Sequence, residues 1–349
     1  MRTESKIGCS ALAVFVLVVA RAAPASQQSS GRLPPKLESF LATTVHPAPA
    51  EYQLLRDGGP ITKLLDSDPS VETVAFGAVW INAPISRYVE AIRDIENFEI
   101  GGGFKVTKRI SSPPRIEDFA QMRFPEEDLE DLRTCKVGDC EIKLSQDALE
   151  RLRAEVDWKG PNPEAQANAV VREIALNYVK GYLEGGNERL AVYRDKSRPT
   201  FVDEEFRAMI DQMPNLAAFI PWMRQYLLDF PKAHLEGARS FLYWQETQFG
   251  LKPTLRISHM VVREGPEDTV VASKMLYASH YFWTALELQT LLPDPARGPG
   301  FWFVTVNRSR SDGLSGFQGR VIRGRVRSEV EKGTAAALAA TKRRLENAR

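Results

Sequence analysis

Histidine and cysteine are scarce in this chain, with four of the first and three of the second in 349 residues. The scarcity narrows the chemistry. None of the Cys and His residues falls at the spacing of a zinc site, a C-x-x-C redox pair or a haem attachment, where a His would follow the second Cys. Also missing are the G-x-S-x-G elbow, the H-E-x-x-H helix, the phosphate-binding loop and the glycine pattern of a dinucleotide site. No metal or cofactor is implied. A charge excess is lacking too, since 46 basic side chains face 45 acidic ones. A protein that neutralises phosphates needs a basic surplus or a basic face, so nucleic acid is disfavoured as a partner. Beyond the first 25 residues no apolar run reaches 18 residues, and no further membrane span is expected.

What is present begins with a leader. Arg2 and Lys6 precede the uncharged run Ile7–Ala20, and Ala23-Pro24-Ala25 supplies small residues at a cleavage site. This is the layout of a secretory signal, with the cut expected after Ala25. An uncut anchor is the alternative reading of the same run. Cys9 lies at the start of this run, too early for a lipid-attachment cysteine, and would leave with the leader. Cys135 and Cys140 would remain, and in an exported chain the pair reads as a disulfide around a Gly-Asp turn. A periplasmic or secreted location follows.

Residues 26–60 read as a linker with one short helix near Lys36–Ala42. Glu72–Ile81 is a strong strand, followed by a helix over Ile85–Glu96 and a strand over Phe104–Ile110. Residues 113–237 are helical, with Ser145 the expected N-cap of Gln146–Val156. The period then changes to two, giving strands at Phe241–Phe249, Leu255–Arg263, Thr269–Tyr277, Tyr281–Leu291 and Phe301–Arg308. A long helix closes the chain from about Phe317 to Glu346. Its apolar stripe is Ile322, Val326, Val330, Ala337, Leu338 and Leu345, and its glycines Gly319, Gly324 and Gly333 would let it approach a sheet closely.

Seven strands, an early helix straight after Asn82-Ala83-Pro84 and one long terminal helix give an order that resembles the START-like, or helix-grip, superfamily. The resemblance covers Glu72–Ile110 and Phe241–Glu346. It implies an α+β fold in which a curved antiparallel sheet grips the C-terminal helix, with an apolar cavity between them. The chain would then divide into a leader (1–25), a linker (26–60), a first part of the START-like domain (61–112), a large helical insertion (113–237) and a second part (238–349). The segment Cys135–Leu144 also resembles one in uncharacterised exported bacterial proteins.

Aromatic residues crowd the sheet region. Trp244, Tyr277, Tyr281, Trp283 and Trp302 would wall a cavity for a lipid or other apolar small molecule, or would simply fill the core. Arg308, Arg310, Arg320, Arg323, Arg325 and Arg327 gather at the turn into the last helix. They would hold an anionic head group or steer the protein to an anionic membrane. Alternatively they form a solvated face paired with the acidic helix around Glu126–Asp131. An enzyme reading uses His259 and His280, meeting across the sheet with Glu246, as an acid–base set. Hydrogen-bonded histidines packed at a sheet surface are the alternative to it. A third reading is an envelope protein with a filled sheet, whose helical middle binds a partner.

Overall fold

Every residue of the strand expected at Glu72–Ile81 is buried. A strand covered on both faces loses polar–apolar alternation and becomes a continuous apolar run. The sheet around it is covered in the same way. The computed structural model describes residues 31–99, 103–248, 252–314 and 316–347. The leader, its cleavage site, Cys9, Gly101, Gly102, Gly250 and the side chain of Arg320 lie outside the described part.

The sheet strands are β1 (Ile61–Leu64), β2 (Glu72–Ile81), β3 (Phe104–Ile110), β6 (Ala238–Thr247), β7 (Thr254–Glu264), β8 (Thr269–Ala278), β9 (Phe282–Pro293) and β10 (Phe301–Ser311); β4 (Val192–Tyr193) and β5 (Thr200–Phe201) form a separate ribbon. The main sheet has eight strands in the order β1-β2-β10-β9-β8-β7-β6-β3. All its pairs are antiparallel. It is open, with β1 and β3 at its edges. The fold is α+β, and each strand expected from the sequence is present. β1 is an addition, too short to give a period.

The helices are α1 (Pro35–Phe40), α2 (Pro49–Arg56), α3 (Ile85–Arg93), α4 (Ile95–Phe98), α5 (Glu126–Thr134), α6 (Gln146–Glu155), α7 (Pro163–Gly185), α8 (Val202–Asp211), α9 (Pro214–Phe219), α10 (Met223–Asp229) and α11 (Gly316–Asn347). Ser145 caps α6 as expected, its hydroxyl accepting from the Ala148 amide at 3.2 Å. The segment read as a linker is instead packed. Leu37 and Phe40 of α1, then Leu41, Val45 and Leu55, are buried with Phe76, Trp80 and Trp302. Proline-rich composition concealed this, because Pro at the first turn starts a helix as readily as it breaks one.

Two layers sandwich the sheet. On one face, here the cover side, α1, α2 and α8–α10 pack on Val261, Val270, Leu288 and Val304. Helices α5–α7 extend that layer over Leu242, Trp244, Leu255 and Ile257. On the opposite face, α3, α4 and the end of α11 pack on Tyr243, Met260, Val271, Phe301 and Phe303. Residues 111–237 therefore leave the sheet at Ile110 and return beside it, since Ile110 pairs with Leu242.

Helix α11 lies along β2 and β1. Its buried contacts are Thr334, Leu338 and Leu345. The expected stripe is partly wrong: Ile322 and Ala337 are exposed, while Val326 and Val330 are half-buried. The close approach comes from the sheet rather than the helix. A Cβ on Gly77 would sit 2.9 Å from a Leu338 methyl and 3.1 Å from Thr334, whereas Cβ atoms on Gly324 and Gly333 would meet nothing.

Candidate functional site

The side chains proposed from the sequence are distributed by strand parity, and parity separates them. Trp244 and Trp302 point to the cover side. Trp244 is buried and its indole N–H donates to the Asp118 carbonyl at 2.9 Å. Trp302 is buried and donates to Asp294 at 3.1 Å. Tyr277 joins the same side, its ring edge-on to Tyr178 and Tyr193. Tyr281 occupies the β8–β9 turn at φ 60°, where its hydroxyl accepts from the Lys252 amide at 2.9 Å. Trp283 is half-buried in β9.

Two of the expected arginines, Arg308 and Arg310, pair with carboxylates on the cover side. Arg308 and Arg310 both bond the buried Glu72, the second at 2.7 Å, and Arg310 also pairs with Glu205 at 2.7 Å. Arg308 adds the Gln212 carbonyl at 2.9 Å. These bonds tie β10 to β2 and α8 on the cover side. The charges of both arginines are paired inside the fold, although each Nε lacks a hydrogen-bond partner, and the acidic segment Glu126–Asp131 is not among their partners. Arg323 donates within its own helix, to the Gly319 carbonyl at 3.4 Å.

The histidines do not converge. His259 is buried on the cover side against Phe230, with Nδ1 hydrogen-bonded to the Tyr182 hydroxyl at 3.0 Å. Burial pushes its pKa down to about 3, and the neighbouring Lys274 adds to the effect. His280 sits beyond β8, with Nε2 2.9 Å from Asp128 and Nδ1 3.2 Å from the Glu141 carbonyl. Both of its partners are acceptors, so the ring anchors α5 to the turn. Glu246 pairs with Lys105 at 3.4 Å. Among the described residues no group of three or more His, Cys, Asp or Glu side chains could hold a metal. Cys135 and Cys140 are bonded, as an oxidising compartment would favour. Among the described residues no helix is long and apolar enough to cross a membrane.

One cavity borders an expected residue. It lies between α6–α7 and the sheet, is lined by Met122, Phe124, Val171, Tyr178, Ile257 and Tyr277, and measures about 70 Å³. Small-molecule sites run from about 300 Å³ upward, so this one is a packing gap on that scale.

The polar chemistry gathers on the opposite face, that of α11. Thr107, Gln245, Arg256 and Ala278 lie side by side across four strands. Ser273, Glu287 and Asn307 form a parallel row nearby. Arg256 is 5% exposed, low for a guanidinium, which makes its partners decisive. It donates to Gln245 Oε1 at 3.1 Å and approaches Glu287 at 3.6 Å. Its Nε has no partner. The Gln245 amide donates to Glu99 and to Thr107, the latter at 3.1 Å, and Thr107 donates to the Glu99 carbonyl at 3.1 Å. Tyr243 and Ser273 share a hydrogen bond of 2.8 Å. Gln289, two residues beyond Glu287 on the same face, leaves a buried Oε1 unpaired. Burial pushes Glu99 up to about 7, and the Glu287 charge adds to this while Arg256 and Gln245 oppose it. Beside these groups Met275, Ala278 and Ala285, with Phe282 against them, form an apolar wall.

Comparison with protein-family models, with curated proteins and with solved structures gives no match. The polar cluster was not singled out from the sequence. Its signal was there: Arg256 stands between Leu255 and Ile257, and Glu287 between Leu286 and Leu288. A charge amid such runs, where both faces are covered, must point at a partner or a ligand.

Proposed function

We propose that this is an exported protein that binds and shields a lipid or other apolar small molecule on the sheet face that carries Arg256, the face on which α11 also packs, along β1 and β2. The observation that carries the reading is Arg256, buried on that face with one guanidinium N–H unpartnered beside the Met275–Ala285 wall. An unpaired buried donor costs about 1–3 kcal/mol, and a ligand acceptor would remove that cost. Contact with the wall would add about 25 cal/mol per Å² of apolar surface. Element order supports a START-like relationship: β2, α3–α4, β3, five strands and a long terminal helix, with residues 113–237 as an insertion that acts as a cover. The N-terminal leader and the bonded cysteines support export. Val321, 71% exposed on α11 among basic side chains, supports peripheral contact with an anionic membrane.

The test is uptake. Delipidated protein incubated with a membrane extract should retain a bound species detectable by mass spectrometry, and Arg256→Met should lose most of it. Empty wild-type protein, or equal uptake by a folded Arg256→Met variant, would count against the reading.

A further inference from the structure

The polar groups on this face are not balanced in charge or in hydrogen-bonding sense. Glu99 and Glu287 supply two carboxylates, and Arg256 is the cation that reaches them. Among the described residues Glu287 has no other ion-pair partner and Glu99 has none. Gln289 Oε1 adds a further acceptor, this one without a partner, whereas Arg256 Nε is the single unpaired donor of the group. A face with surplus acceptors and surplus negative charge is complementary to a ligand rich in N–H donors and positively charged. A carboxylate or phosphate head would meet one guanidinium already occupied by Gln245 and Glu287, and would lie against two like charges.

Resting on the binding site proposed above, we infer that the ligand is an amphipathic amine. Its ammonium would sit between Glu99, Glu287 and Gln289, and its apolar body would lie along Met275, Ala278 and Ala285. An oxygen next to the amine would accept from Arg256 Nε. Glu99 and Glu287 are half-buried, the Glu287 side chain at 31% exposure, so an ammonium between them would be screened less than one at the open surface and more than one in the core.

Binding should also be linked to protons. The ionisable groups facing Glu99 are Glu287 from β9, Arg256 from β7, Tyr243 from β6 and Tyr88 from α3. Both tyrosines are held well above their ordinary value by burial and stay neutral. Glu99 is therefore the group that changes charge near pH 7, and its carboxylate form is the one that accepts an ammonium. Amine affinity should rise as pH goes from 5 to 8.

Calorimetric titration of the purified protein with octylamine, octanol and octanoate separates the possibilities, since the three probes share one chain and differ in head. The expected result is octylamine binding at least tenfold tighter than the others at pH 8 and weakening at pH 5. Glu287→Gln should reduce octylamine affinity at least tenfold and leave octanol unchanged, with circular dichroism confirming the fold. Octanol or octanoate binding as well as octylamine would overturn the amine assignment and leave the binding site standing. Failure of all three probes to bind would remove both.

Discussion

Lys274 has 0% exposure and, among the described residues, no carboxylate partner. Its ammonium bonds the Asn187 side-chain oxygen and lies 4.2 Å from the Phe206 ring centroid and 5.3 Å from that of Tyr182. Burial pulls its pKa down from 10.5 to about 7. The unfolded chain keeps the proton up to about 10.5, so between those values the unfolded state binds more protons than the native state. Stability should therefore increase from pH 7 to pH 9, by an amount on the order of a few kcal/mol. Urea denaturation of Lys274→Met across that range should show a flatter profile than wild type. An unchanged slope would mean that Lys274 keeps an ordinary pKa. At this scale the sequence was least informative. The strand position of Lys274 was plain, but the Asn187 oxygen that accepts its hydrogen bond lies 87 residues away. The same holds for Glu72 and its two arginines, and for Glu99 and Gln245. Pairing across such separations is a product of topology, and no local period encodes it.

Secondary elements were legible because their periods are local. The strands from β6 to β10 and the helix α11 begin and end within a few residues of where alternation, Gly and Pro placed them. Two features were not. In residues 33–56 the first helix was legible near Lys36–Ala42, but the second, Pro49–Arg56, and the burial of Leu37, Phe40, Leu41, Val45 and Leu55 were not, because Pro and Ala between them hid the spacing. The second is the role of glycine in α11. Gly324 and Gly333 look inviting in the sequence, yet the contact that brings helix and sheet together depends on Gly77 in β2. Gly77→Val would drive a branched side chain into Leu338, Thr305 and Thr334, an overpacking cost of about 1–3 kcal/mol. The expected outcome is a lower midpoint in urea together with faster proteolysis within α11. Gly333→Ala should leave both unchanged or slightly improve them, because Ala is the better helix former. Destabilisation by Gly333→Ala rather than Gly77→Val would show that the helix is seated differently.

Across the whole molecule, both faces of one sheet are committed. Clusters around α1, α8–α10 and α5–α7 share the cover side, and the α3–α4–α11 cluster uses the other. Residues 111–237 start and finish at neighbouring strands, so a short turn would reconnect β3 to β6 without strain on the path of the chain. The bared surface would nevertheless include Leu242, Trp244, Leu255, Ile257 and Leu276. A contiguous apolar patch of that kind drives association. Replacing 111–237 by a Gly-Asn turn should yield protein that elutes as aggregates in size exclusion and binds a hydrophobic dye. A soluble monomer would show instead that the sheet side is self-sufficient. This division was legible from the change of period, whereas which face received the helices was not, because strands buried on both sides carry apolar residues at every position.

The terminal helix is latched where the first long strand ends. The Asn82 amide donates to Glu346 at 2.8 Å, Lys342 donates to the Trp80 carbonyl at 2.6 Å, and Arg87 donates to the Leu345 carbonyl at 2.6 Å. Strand β2 also waits for β10 as its neighbour in the sheet. During synthesis, then, β2 has β1 beside it early but gains its other neighbour and the helix only when residues 301–347 have emerged. A sheet whose second strand is completed by a strand more than 200 residues later should close late in folding, which suits the export proposed above.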